Sequence, residues 1–385
     1  MIAALRGLAL AAAGVAMAVV LAGGSGLQPP VGTEPAPPEA LAELRLGLIA
    51  NTAYFGPEAG VEQDRVLKTG IRWLREEFSW SAIEPAAGKW DWSDYDPVVA
   101  AAAKRHMHIL ALLNDTPSWV GPTSETLPTE AQFAAYARAV VGRYGRGGTF
   151  WRDHPKLPAD GVIEWWELWN EPYWWDFADP VDPARYARLV RAGATAGREA
   201  DPQARFLIGA DITGVEEDGD SVEWIDNMYR AVPDLGRYYD AVAVHPYGDL
   251  DKYTPGRRWQ FRRVEDMRRT FNGHGDDKPV WITEIGWATN PDGGWTETQQ
   301  ADLYTRLLNA VGTTYRGWIQ AVFAYHFRDH RPQDPSNKEN WFGILRADGS
   351  HKPAYDVLSR AAADAASATA SEASRGFVAP GGGGS

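Results

Sequence analysis

A chain of 385 residues, 44% hydrophobic and 23% charged, is long enough to bury a large core and has the balance of a folded, soluble protein. The formal net charge of −13 argues against nucleic acid or an anionic membrane surface as a partner, because both ask for a basic face. Cysteine is absent, which excludes a disulfide framework, a thiolate nucleophile and cysteine metal ligands.

In chain order, Arg6 stands before an uncharged run from Gly7 to Gly26 that ends in small residues. Residues 1–26 therefore read as a secretory signal peptide, or as a membrane anchor if left uncleaved, and the expected location is secreted or cell-surface. Residues 27–42 contain Pro29, Pro30, Pro35, Pro37 and Pro38 and read as an extended linker. Residues 43–360 form one block with no internal linker, expected to act as a monomer. Residues 361–385 are rich in Ala, Ser and Gly, close on Gly-Gly-Gly-Gly-Ser, and read as a flexible tail.

Within the block, apolar runs of strand length fall at Leu46–Ile49, Ile71–Leu74, Ile109–Leu113, Val162–Trp166, Phe206–Ile208, Ala241–Val244, Val280–Ile282 and Ile319–Ala324. Helical segments lie between them. Thr129 and Gln132 form a capping box before Phe133, Tyr136, Val140 and Tyr144, and Thr296 and Gln299 form another before Leu303 and Leu307. Asp182-Pro183 and Lys352-Pro353 open two more. Eight strands alternating with helices predict an α/β fold, a single (β/α)₈ TIM barrel, whose catalytic groups come from the carboxyl ends of the strands.

Those ends are polar and aromatic all round. The fourth strand stops at Asn170-Glu171, broken by Pro172, and the seventh at Glu284, two residues before Gly286. The sixth closes on His245-Pro246-Tyr247, and the second on Arg75, Glu76 and Trp80. Carboxylates on facing strands, among 18 Trp, suit cleavage of a sugar–sugar bond, with one protonated as acid and the other ionised. Arg75 and Tyr247 are placed to hold one of the pair ionised, and Asn170 to contact a sugar hydroxyl. Spacing alone leaves open which glutamate does which.

Trp169-Asn170-Glu171-Pro172, His245-Pro246-Tyr247 and Thr283-Glu284 resemble the pattern of clan A retaining glycoside hydrolases. The stretches from Arg75 to Trp80, from Glu84 to Gly88 and from Trp90 to Trp92 are similar to the second-strand region of the xylosidase-like family 39 and related family 5-like endoglycosidases. Phe342-Gly343-Ile344-Leu345 and Lys352-Pro353-Ala354-Tyr355 resemble the barrel's closing segment in that clan. The resemblance implies that Glu171 is the acid/base, that Glu284 is the nucleophile, and that Asn170 meets the substrate's 2-hydroxyl. Arg75, His245 and Tyr247 would form the polar ring around them. Trp80, Trp119, Trp174, Trp287, His326 and Trp341 are the expected sugar contacts.

No His-Glu-x-x-His occurs, and the His-x-His at His106-Met107-His108 precedes the third apolar run instead of standing at a strand exit, so neither metal nor cofactor is expected, and the partner is an oligo- or polysaccharide with β-linkages. Glu167 reads as structural. A barrel that binds polysaccharide without cutting it, a lectin, is the reading from another class.

Overall fold

A computed structural model describes residues 30–254 and 257–375. The segment expected to be a signal peptide or anchor, and the closing Gly-Gly-Gly-Gly-Ser, lie outside the described residues. Eight strands, β1 (Arg45–Ile49), β2 (Trp73–Ser79), β3 (His108–Asn114), β4 (Trp165–Leu168), β5 (Arg205–Gly209), β6 (Ala241–Val244), β7 (Val280–Ile285) and β8 (Ile319–Ala324), close into one barrel. Every neighbouring pair is parallel, and β1 pairs with both β2 and β8. The (β/α)₈ expectation holds. A two-stranded hairpin, Thr213–Val215 with Ser221–Glu223, is added after β5.

Local chemistry explains the helices. Both expected capping boxes form, at Thr129 with Gln132 and at Thr296 with Gln299. The Asp182 side chain caps the helix Pro183–Ala200. Apolar stripes from these helices meet the outward side chains of the strands in one continuous core.

The barrel's own interior is a second, smaller cluster. Trp165 and Trp281 pack with ring centroids 4.3 Å apart, Trp73 meets Trp281 edge-on, and Phe323 stacks on Trp281. The Arg45 guanidinium lies 5.1 Å from the Trp281 ring centroid. Gly47 on β1 leaves room for this plug, since a Cβ there would come within 2.3 Å of the Phe323 ring. Several of the 18 tryptophans are therefore structural.

Three expectations change. The strand expected at Ile71–Leu74 runs on to Ser79, because Arg75, Glu77 and Ser79 alternate into the polar mouth while pairing with β3 continues. The proline-rich segment is not a free tether over its described part. Val31 is buried and donates its N–H to Asp251, its carbonyl accepts from Arg306, and Pro38–Ala42 is helical. Residues between the prolines keep their backbone groups, and side chains of the helix Glu297–Gly312 satisfy them. The start of the expected flexible tail is also ordered, as one helix spans Pro353–Arg375 with Ala361 and Ala362 buried. Alanine has the highest intrinsic helix propensity and needs no apolar stripe to stay helical.

Lys352, at the N-terminus of that helix, is buried and paired with buried Asp329 at 2.7 Å; its ammonium also bonds Thr289 Oγ1 at 2.8 Å. Asp329 in turn accepts from the Gly343 N–H. Lys352→Met would strand the Asp329 carboxylate. The expected loss is about 3–5 kcal/mol of unfolding free energy at neutral pH, read by urea denaturation, and an unchanged midpoint would show that the pair holds nothing together.

Candidate active site

At the carboxyl end of the barrel the alternation of β2 aims Arg75 inward, and its guanidinium organises the pocket. Nε and Nη2 meet Glu167 of β4 at 2.6 and 3.1 Å, Nη2 meets Asn170 Oδ1 at 2.9 Å, and Nη1 meets Glu284 of β7 at 2.6 Å. The paired Oδ1 leaves the Asn170 amide NH₂ without a protein acceptor among the described residues. Tyr247 donates to the other Glu284 oxygen at 2.9 Å. Burial alone would raise Glu284, but the charges of His245 and Arg75 and the bonds from Tyr247 and Arg75 outweigh it and hold the carboxyl below its ordinary value.

Glu171 reaches the same pocket by a sharp turn. β4 ends at Leu168, and Trp169 and Glu171 both take positive φ, 74° and 36°. Non-glycine residues adopt that region at a cost, and it is concentrated where a side chain must be aimed. Trp169 is anchored by packing on Phe133 and by its indole N–H to the Phe177 carbonyl at 2.7 Å. Glu171 Oε1 lies 2.7 Å from His245 Nδ1 and 3.5 Å from the Tyr173 hydroxyl.

His245 Nδ1 is also 3.8 Å from Glu284 Oε2. One atom thus touches both glutamates, so the two oxygens it touches can be no more than about 6.5 Å apart, against about 5–5.5 Å for carboxyl pairs that act by covalent displacement. The pocket has one carboxylate held ionised by a guanidinium and a phenol, and one carboxyl bonded mainly to an imidazole. Such a pair can attack and protonate the two ends of one bond.

Not every expected sugar contact lines this mouth. Trp80 is buried, stacked on Tyr136 and bonded to Glu84. Trp287 is buried against Tyr304, with its N–H on the Gly248 carbonyl. Neither offers the open face that sugar stacking needs. His326 is buried too, stacked on His330, with Nδ1 accepting from the Arg328 N–H. Trp119, Trp174 and Trp341 are half-buried; of these, Trp174 is nearest Glu171 in the chain and meets Trp259 edge-on at 5.5 Å.

The sequence reading missed Trp259, which is 46% exposed and also faces Tyr247. It sits deep in the loop after β6, and its one signal is a tryptophan in the polar run Arg257-Arg258-Trp259-Gln260. Arg258 holds that loop down through Asp211 and packs over Tyr173 and Trp174. Glu339 was missed as well. It takes a hydrogen bond from Tyr325, and burial raises its carboxyl, with Glu284 and Glu171 adding to the effect. Glu77, two residues beyond Arg75 on β2, accepts from Asn114 at 3.0 Å and is likewise raised by burial. Among the described residues no group of three or more His, Asp or Glu is arranged to hold a metal ion.

Comparison with known proteins is consistent with this geometry. A family model described as glycosyl hydrolase catalytic core matches residues 169–349, and one described as beta-galactosidase matches residues 58–133. No curated protein matches the chain. Among solved structures, a family 39 glycoside hydrolase from Bacteroides cellulosilyticus WH2 is similar at TM-score 0.60 and 21% identity, covering 84% of this chain and 64% of that one. A monomeric beta-xylosidase from Caulobacter crescentus CB15 has TM-score 0.59 and 16% identity over 86% of this chain and 69% of its own. GH5_18 from Streptomyces cattleya, solved with GlcNAc, has TM-score 0.60 and 15% identity over 84% of this chain and 80% of its own. The chain thus spans less than two thirds of the length of the family 39 structure and slightly more than two thirds of the beta-xylosidase. These likenesses agree with the clan A resemblance carried by the Asn170-Glu171-Pro172 and Thr283-Glu284 motifs, and the chain has the fold of a glycoside hydrolase catalytic barrel.

Proposed function

We propose that this protein is a retaining glycosidase that cleaves a β-linked glycan by double displacement, with Glu284 as nucleophile and Glu171 as acid/base. The observation that carries the reading is the single His245 Nδ1 atom lying 2.7 Å from Glu171 and 3.8 Å from Glu284. An inverting pair stands about 6.5–9.5 Å apart to admit a water between carboxyl and sugar, and a separation of no more than about 6.5 Å between the two oxygens supports the closer, displacing arrangement. The unequal surroundings support the division of labour. Glu284, held low by Arg75 and Tyr247, is ionised and ready to attack, whereas Glu171 has no cation but His245 bonded to it.

In the first half-reaction Glu284 bonds to the anomeric carbon as the glycosidic C–O bond breaks, and Glu171 gives its proton to the departing oxygen. In the second, water attacks that carbon, Glu171 takes the water's proton, and the Glu284–carbon bond breaks. The Asn170 amide is suited to a sugar hydroxyl beside the reacting carbon. Export of the enzyme is part of the same proposal, supported by Arg6 and the uncharged run after it.

The test is stereochemical. Incubation with a panel of aryl β-glycosides and polymeric β-glycans, followed by proton NMR of the first product, should show the β-anomer forming before mutarotation. A first-formed α-anomer would reject the double displacement, and bound but uncut glycan would point to the lectin reading.

A further inference from the structure

Hydrogen-bond polarity runs one way through the floor of the pocket. Arg75 has only donors, so both Glu167 oxygens accept from it. Glu167 Oε1 also lies 3.1 Å from the Thr283 hydroxyl, and a carboxylate so paired has no proton to give. The single Thr283 hydrogen therefore points to Glu167. What Thr283 Oγ1 has left for His245 Nε2, 3.0 Å away, is lone pairs, so Nε2 must carry a hydrogen. All three groups are buried, with Thr283 0% and Glu167 1% exposed, so water is poorly placed to relieve the constraint.

The other ring nitrogen faces Glu171 Oε1 at 2.7 Å. With Nε2–H fixed, that contact is a hydrogen bond only when one proton lies between Nδ1 and Oε1, on the ring or on the carboxyl. We infer that Thr283 and Glu167 are proton-positioning residues, which hold His245 in its Nε2–H form and so oblige the Glu171–His245 pair to keep the one proton that is delivered to the leaving group. This rests on the acid role proposed for Glu171. The proton resides on Nδ1 or on Oε1 in the resting pocket and passes to the glycosidic oxygen as its C–O bond breaks. It is restored from the attacking water in the second half-reaction.

The other charged and titratable groups near His245 are Glu284 at 3.8 Å from Nδ1, Glu167 at 3.9 Å from Nε2, Arg75 and Tyr247, with Tyr173, Asp211, Arg258 and Arg263 lining a small cavity beside it. Burial disfavours charge on the ring, and Glu284 and Glu171 outweigh it, so the ring keeps a proton above the usual histidine range.

Thr283→Val removes the acceptor for Nε2–H and frees the ring to take the other tautomer, in which Nδ1–H donates to an ionised Glu171 and the pair is one proton short. The variant should lose about 10²-fold in kcat/KM on alkyl β-glycosides, whose leaving group needs an acid, while a 2,4-dinitrophenyl β-glycoside changes by less than about threefold. The basic limb of its pH profile should move to lower pH, and Thr283→Ser should restore both. Nitrogen-15 NMR of the His245 ring in the unmodified enzyme supplies a reading that needs no variant, with Nε2 protonated at every pH where the enzyme is active. A bare Nε2, or equal losses on both substrates with an unmoved basic limb, would overturn the inference. Failure of the unmodified enzyme to cleave either glycoside would instead refute the proposed activity.

Discussion

Glu284→Gln should abolish turnover, by about 10⁵-fold in kcat on any β-glycoside, while the barrel and sugar binding survive. The amide keeps the shape of the carboxylate, its one oxygen can still accept from Arg75 and its NH₂ can donate to the Tyr247 hydroxyl, but it cannot form the covalent link to the anomeric carbon. Circular dichroism and a binding titration with the intact glycan separate loss of chemistry from loss of fold. A variant that kept even a tenth of its activity would remove Glu284 from the mechanism. The pH dependence follows from the same contacts. Only the ionised form attacks, and Arg75, Tyr247 and His245 depress the carboxyl below its ordinary value. The acid limb of kcat/KM should therefore lie below the usual carboxylate range, with activity lost only as pH falls through that depressed value.

Glu171→Ala should divide substrates by leaving group. On native oligosaccharides the loss is expected at about 10³–10⁴-fold, since nothing protonates the departing alcohol. On a 2,4-dinitrophenyl β-glycoside the first step needs no acid, so a burst of phenolate should appear and the glycosyl-enzyme should accumulate on Glu284. Azide can then enter the space left by the carboxyl and release a β-glycosyl azide, detectable by mass spectrometry. Equal losses on both substrates, with no burst, would contradict the acid/base role. His245 would lose its closest acidic partner in this variant, so its ring should also titrate closer to the ordinary histidine range.

The barrel and the paired glutamates were legible because each depends on short-range pattern. An apolar run stopped by a carboxylate and then by Pro172 or Gly286 reads the same in one dimension as in three. Which aromatics stand open at the mouth was not legible, because exposure of a ring is decided by what packs over it. Trp80 follows a polar strand end and looks like a rim residue, yet Tyr136 from a distant helix covers its face. Trp259 lies in a loop without hydrophobic periodicity and is brought to the mouth by Arg258 and Asp211, two residues 47 positions apart. Glu167 sits one residue before Leu168 in an apolar strand, and its role emerged only with the bidentate contact to Arg75, which joins strands 92 residues apart. The proline-rich segment shows the same limit, since Val31 finds Asp251 and Arg306 far along the chain.

The aromatic plug formed by Trp73, Trp165, Trp281 and Phe323 has a consequence for the order of events. It seals the far end of the cylinder, so nothing crosses the barrel from below. On the proposed chemistry, the hydrolytic water must come from the open face by which the first product departs and attack from the place that product held, which the two cannot share. Release of the aglycone therefore gates deglycosylation, and an alcohol lingering there would compete with water to receive the sugar.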